Sequence, residues 1–369
     1  MKAILAEQLL VKIMGWTPEE ITVERPLLQA MANLKYDEYH QFSPGIRFIE
    51  SLAQWLGQFE LIEEKRTMYS FFKEHLIFIS SDQMAHLVEL SYSTVVNPII
   101  IEQVSSVLSK KKYHIKKIID SQAYIDAKKQ SLFIGLSDGS RIDQLRRYAH
   151  LSNEQVLTTY YIDNEKVNEM IKELHEEFPQ KEYSTVFLFD DFTASGTSYT
   201  RYEGGKPKGK VLKFLNKIYP TKVDDSNEES DFSNLVDTNN LSIHLVFYIA
   251  TQYALERIEE NVNKWITENN IINLKFTVRA IQLLDIGKHY LRDNKELIDI
   301  IKSYKYFDDT IVDKHYSMGN IDHPYLGFDE CGLPLVLFHN TPNNSLPIIW
   351  FSEDKKNKGL FPRITRHKE

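Results

Sequence analysis

Five short apolar runs, spaced so that helical patterns fall between them, constrain this chain more than any other feature. They are HLIFISS (75–81), SLFIGLSDGS (131–140), TVFLFDDF (185–192), IHLVFYIAT (243–251) and KFTVRAIQLL (275–284). Helical periodicity occupies 82–95, 140–149, 164–178 and 252–269. Strands that alternate with helices build a largely parallel sheet with helices on its faces. Strands buried on both faces read as near-continuous apolar runs, as these do. The expected fold class is therefore α/β, a mostly parallel sheet flanked by helices. His244 sits inside one run and reads as a satisfied core histidine rather than a ligand.

The flanks have a different texture. Residues 1–74 read as a helical region: Ser43-Pro44 gives a start signal, and Ile46, Ile49, Leu52, Trp55 and Leu56 follow at helical spacing. Within the α/β core, 75–300, residues 202–240 break the rhythm. YEGGKPKGK is rich in Gly and Lys, and DDSNEESD (224–231) is acidic, so this part reads as a surface insertion. Residues 301–369 form an irregular C-terminal extension in which Tyr, Pro and Asn concentrate.

Composition bounds the setting. The chain has 369 residues, 42% of them hydrophobic, and a net charge of −8. That supplies a substantial core and argues against a uniformly basic nucleic-acid surface. A single cysteine, Cys331, allows no intrachain disulfide and suits a reducing compartment. The first residues, MKAILAEQLLVKIMGW, make a poor signal peptide, and no run of about 18 apolar residues suggests a span. A soluble cytoplasmic protein without membrane association is expected, and a homo-oligomer is compatible with the sequence.

The stretch VFLFDDFTASGTSYTR (186–201) carries the chemistry. Four apolar residues run into Asp190 and Asp191, then into a turn of small and hydroxylated residues. Strand ends of a parallel sheet form the crevice where ligands bind. A helix expected to start after this turn would offer unpaired N–H groups to a phosphate. Gly196 permits close backbone approach, and Thr193, Ser195, Thr197 and Ser198 offer hydroxyls. A phosphate cradle beside two carboxylates suits a ribose 5-phosphate, with Mg²⁺ easing the repulsion between the acids.

These residues resemble the phosphoribosyl-pyrophosphate (PRPP) motif of type I phosphoribosyltransferases. The match holds at 186–191 and 194–198 and departs at Phe192 and Thr193, where the family carries aliphatic residues. A second segment, LFIGLSDGSRIDQLRR (132–147), stands where the family places its pyrophosphate loop. The resemblance implies phosphoribosyl transfer from PRPP to a nitrogenous acceptor, with Mg²⁺ as cofactor. It assigns ribose hydroxyls and the metal's water shell to Asp190 and Asp191, the 5-phosphate to Thr193, Ala194, Ser195, Gly196, Thr197 and Ser198, and pyrophosphate to Ser137, Asp138, Gly139, Ser140 and Arg141. Base recognition in this fold comes from a variable hood. Here Asn343, Asn344 and Trp350 of HNTPNNSLPIIW offer amides and an aromatic face. The whole chain is also similar to phosphoribosyltransferase-like proteins of bacterial anti-phage loci. That similarity implies an effector role and, in some loci, a retron reverse transcriptase and its DNA as partners.

Rival readings are weaker or remain open. A P-loop ATPase would use Gly204-x-x-x-x-Gly209-Lys210, but Val211 stands where Ser or Thr is needed and no strand precedes it. A receiver domain does not call for the glycine-centred turn. A non-catalytic PRPP or nucleotide sensor, or an interaction subunit, stays open because no residue is an obvious general base. SKKKYHIKK (109–117) sets five lysines around Tyr113 and His114, a local hint of nucleic-acid binding against the simpler reading of a solvated face. Cys331, His323 and His339 lack zinc-ligand spacing.

Overall fold

The structure, a computed structural model, describes residues 3–220, 231–285, 290–314, 316–352 and 355–363. The acidic run at 224–231 falls outside them except for Asp231. The chain divides into two compact units, Ala85–Asp285 and a terminal unit of Met1–Met84 with Ile286–Glu369. The described strands are β1 (Ile77–Ile79), β2 (Ser131–Gly135), β3 (Val156–Leu157), β4 (Thr185–Thr193), β5 (Arg201–Glu203), β6 (Lys206–Lys208), β7 (Ser242–Thr251), β8 (Lys275–Leu284) and β9 (Leu335–Leu337).

In Ala85–Asp285, five strands form a parallel sheet in the order β3-β2-β4-β7-β8. The helices Asn164–Glu177, Lys210–Ile218 and Gln252–Glu268 each bury one stripe. Val167, Met170 and Leu174, then Val211, Phe214, Leu215 and Ile218, then Ile258, Val262 and Trp265 join Leu132, Ile134, Val186, Leu188, Ile243 and Leu245 in one core. Each such side chain contributes about 1.5–3 kcal/mol of burial. On the other face, Gln103 of the helix Asn97–Val107 donates to Thr185 Oγ1 at 3.1 Å. Phe133, Phe187, His244 and Thr277 lie in register across that face. Phe187 stacks on Phe133 and on His244, both at 5.2 Å, and His244 Nδ1 is 2.8 Å from Thr277 Oγ1. His244 is thus a core residue, but only half satisfied: its Nε2 is buried without a hydrogen-bond partner among the described residues.

The run at 75–81 does not join this sheet. β1 pairs in parallel with β9 inside the terminal unit, because Phe78 is held among Tyr36, Tyr39 and Phe361. The two-residue β3 takes the edge position instead, too short to leave a pattern. In the terminal unit the N-terminal helices and the last residues share one core. Trp55 Nε1 donates to Ile348 O at 2.8 Å, and Ser51 Oγ to Leu360 O at 2.7 Å.

One helical stretch, Ser81–Val107, is by length and composition apolar enough to cross a membrane, unlike the expectation from apolar runs, and 44% of that window is buried within the protein. Val88, Val96 and Ile100 are among its fully buried residues.

Candidate functional site

In chain order the five central strands lie 2-1-3-4-5, so the topology reverses between β2 and β4. Ligands of open α/β sheets bind at the C-terminal ends of the strands at such a reversal. The loop after β2 is 136–141, and the loop after β4 is 194–200. The structure therefore brings together both segments that the sequence singles out. Gly139 lies against Asp191: a Cβ built on Gly139 would sit 2.5 Å from Asp191 Oδ2. Tyr248 of β7, fully buried, donates to Ser140 O and pins the first loop from below. Asp138–Ser140 form one 3₁₀ turn, and Arg141 takes φ 47 just before the helix Ile142–Tyr148.

The two aspartates face opposite sides of the sheet. β4 runs through them to Thr193, and successive side chains of a strand project to opposite faces. Asp190 shares the face of Val186 and Leu188 and is fully buried. Its Oδ1 accepts from Ser137 Oγ and from the Asp191 amide at 3.1 Å. Its Oδ2 accepts from Tyr199 OH at 2.9 Å and Lys210 Nζ at 2.8 Å. Burial pushes the Asp190 carboxyl up, and the nearby Asp191 charge adds to this, while Lys210 and Ser137 oppose it. Burial, with Asp190 beside it, holds the Tyr199 hydroxyl far above its ordinary range, so it stays a donor. Where the resemblance gives Asp190 sugar hydroxyls and the metal's water shell, its oxygens here accept from the protein itself. Asp191 is half-buried, on the face of Gly139, with Oδ1 accepting from the Phe192 amide at 2.8 Å.

The loop expected to hold phosphate is also built differently from the expectation. No helix begins after Ser198. The chain closes one turn, with the Tyr199 and Thr200 amides both donating to Gly196 O at 3.0 Å. It then leaves as the hairpin β5–β6 and returns at Lys210, whose amide donates to Ser198 O at 3.1 Å. The return is tight. Gly209 takes φ 107, and a Cβ there would lie 2.4 Å from Tyr199 O, so only glycine fits. This excursion delivers Lys210 to Asp190.

Every carbonyl from Ala194 to Thr200 accepts a protein donor. Thr251 Oγ1 serves Ala194 O at 2.7 Å, Arg257 serves Ser195 O at 3.2 Å, and Arg201 serves Thr197 O at 3.4 Å. The Val211 amide serves Tyr199 O at 3.0 Å, and Asn261 serves Thr200 O at 3.4 Å. Carbonyl dipoles repel anions, and here all seven are turned into protein. Within the loop, Thr193 Oγ1 accepts from the Gly196 amide at 3.2 Å and Ser195 Oγ from the Thr197 amide at 3.4 Å. Ala194 is buried and Ser198 exposed. Thr197 Oγ1 is buried with no hydrogen-bond partner among the described residues, a costly state for a hydroxyl.

A family model, PRTase-CE, matches residues 52–363, which include both loops. The chain belongs to the PRTase-CE family. This is a phosphoribosyltransferase-type family. No curated protein matches the chain, and no solved structure does.

The PRTase-CE chain uses supports that the sequence reading passed over. Thr251, Ala254, Arg257, Ile258 and Asn261 fall at helical spacing on the face of Gln252–Glu268 that carries the loop; that spacing was the available signal. Tyr199 and Lys210 left none, because the hairpin separates them in sequence. The expected base-reading groups are in the terminal unit, and the polar edges of Asn344 and Trp350 are engaged there. Asn344 Nδ2 donates to Phe328 O at 3.1 Å, and Trp350 Nε1 to Ser345 O at 2.7 Å. The Asn343 carbonyl accepts the Phe328 amide at 2.7 Å.

Proposed function

We propose that the crevice between the loops 136–141 and 194–200 binds PRPP or another ribose 5-phosphate compound, and that the protein transfers the phosphoribosyl group to a nitrogenous acceptor. The observation that carries this is the loop 194–200 with all its carbonyls turned inward and a buried, unpartnered Thr197 hydroxyl, next to the Asp191 carboxylate. A phosphate would take the Thr197 hydroxyl as donor, and Asp191 would accept from ribose hydroxyls. The 137–141 turn would hold pyrophosphate through its backbone and Arg141.

The donor set fits a magnesium ion that arrives with its substrate. Among the described residues no group of three or more His, Cys, Asp or Glu side chains is placed to hold a metal. Mg²⁺ accepts one or two carboxylates and takes its other ligands from phosphates and water; Asp191 would supply such a carboxylate. When bound there, the ion neutralises charge on the leaving pyrophosphate.

Pyrophosphate release from PRPP with Mg²⁺ and a panel of nitrogenous bases tests the proposal. Asp191→Asn should abolish release without changing the melting temperature. Asp190→Asn should lower both, since it puts an amide donor in place of one of the oxygens that join Ser137, Tyr199 and Lys210 and removes the charge that faces Lys210. Release at the wild-type rate from Asp191→Asn overturns the assignment. The engagement of Asp190 by its own chain favours a second reading, a PRPP or nucleotide sensor. Tight Mg²⁺-dependent binding without release would establish that one.

A further inference from the structure

The segment 109–117 joins the helix Asn97–Val107 to the five-residue helix Ile115–Ile119. All nine of its residues, Ser-Lys-Lys-Lys-Tyr-His-Ile-Lys-Lys, are exposed, and the next, Ile118, is the buried anchor. Tyr113 is 76% exposed, in ring contact with His114 at 4.6 Å. Lys112 pairs with Glu102. Among the described residues, Lys110, Lys111, Lys116 and Lys117 have no acidic partner. Folding gains nothing from holding an aromatic ring in water among ammonium groups. On a chain of net charge −8, this is a localised cationic knuckle with an exposed tyrosine ring at its centre.

We propose that this knuckle docks single-stranded nucleic acid, independently of the PRPP reading. Four lysines without acidic partners can neutralise backbone phosphates, and the exposed Tyr113 ring offers a face on which an unpaired base stacks. A bilayer fits less well. Interfacial binding needs a helix with a broad apolar face, and Ile115–Ile119 is five residues long with Ile118 turned inward. A duplex would use the lysines and leave the ring without a partner.

The test is fluorescence anisotropy of the full chain with a labelled oligothymidylate, its duplex, and polyglutamate, with phosphatidylserine vesicles in a flotation arm. With four phosphates neutralised, a single strand gives a log–log salt slope of about −0.7 × 4, or roughly −3, so affinity should fall about 50-fold between about 50 and 200 mM salt. Tyr113→Ala should weaken single-strand binding about tenfold. Replacing Lys110, Lys111, Lys116 and Lys117 together with Glu should abolish it. Both variants should keep the wild-type melting temperature and pyrophosphate release, because every altered side chain is exposed. Absence of single-strand binding at low salt overturns the proposal. So does equal binding to duplex, polyglutamate or vesicles with Tyr113→Ala unchanged.

Discussion

Gly139→Ala asks whether the two loops make one site. No left-handed backbone is needed at Gly139, so alanine is conformationally allowed. Its Cβ, however, would lie 2.5 Å from Asp191 Oδ2, 2.7 Å from Cγ and 3.0 Å from Oδ1. An ordinary carbon–oxygen contact is about 3.4 Å, so the carboxylate must retreat by roughly 0.9 Å. Asp191 is half-buried and its carboxylate ends a short side chain, so it can turn away at the cost of contacts such as the one from the Phe192 amide. Holding it off its rotamer costs about 0.5–1.5 kcal/mol, which lowers melting by only a few degrees. A displacement of about 1 Å at a positioned group costs on the order of 100-fold in function. The expected result is near-native melting with ribose 5-phosphate affinity, by calorimetric titration with Mg²⁺, reduced on the order of 100-fold. Wild-type affinity in a folded Gly139→Ala protein would refute the claim that Asp191 and the 136–141 loop address one ligand.

Three further outcomes follow from the same geometry. Thr197→Val keeps the shape but removes a buried hydroxyl without a partner, so melting should hold or rise by the equivalent of about 1 kcal/mol while phosphate affinity drops about tenfold; a thermal melt beside a titration reads both. Tyr199→Phe removes a donor from a buried carboxylate and should cost about 1–3 kcal/mol. Because that donor favours ionised Asp190, whose pKa is already raised, the loss should be largest at neutral pH and shrink as pH falls through the folded-state value; urea melts across pH check it. Burial, with Arg279 nearby, lowers His244 from 6.5 to about 4. The native state therefore stays unprotonated where the unfolded chain takes up a proton, and stability declines as pH falls from about 6.5 to about 4. That difference is worth about 3 kcal/mol, which His244→Gln should remove from the urea profile.

Much of the α/β core is legible because its strands are buried on both faces. Runs such as TVFLFDDF leave no other economical placement, and four of the five runs are in the central sheet. The fifth, around Phe78, carries the same local signal, but its partners Tyr36 and Phe361 come from the chain's two ends, and local pattern cannot reveal such distant packing. The two loops were visible as turns after strands. What they lean on was not. Asp190 depends on Lys210 and Tyr199, which a hairpin sets apart. The Ala194 and Ser195 carbonyls depend on Thr251 and Arg257, 57 and 62 positions away.

The division between the two acids follows from the strand itself. Once β4 continues through the pair, two-residue periodicity sends one carboxylate into the core and leaves the other at the crevice. A lone buried carboxylate would cost several kcal/mol, and pairing does not make it a strong source of stability. What it gives here is registration. One atom group receives Ser137 from the loop after β2, Tyr199 from the loop after β4, and Lys210 from the helix that follows the hairpin. Three segments that approach the crevice from different parts of the chain are fixed to one point beneath it. Asp191 can then remain partly solvated, because the geometry around it is set by its neighbour. On the proposed reading, in which positioning would supply most of the catalysis, a buried acid that orders the loops would be as much a part of the machinery as the half-buried one.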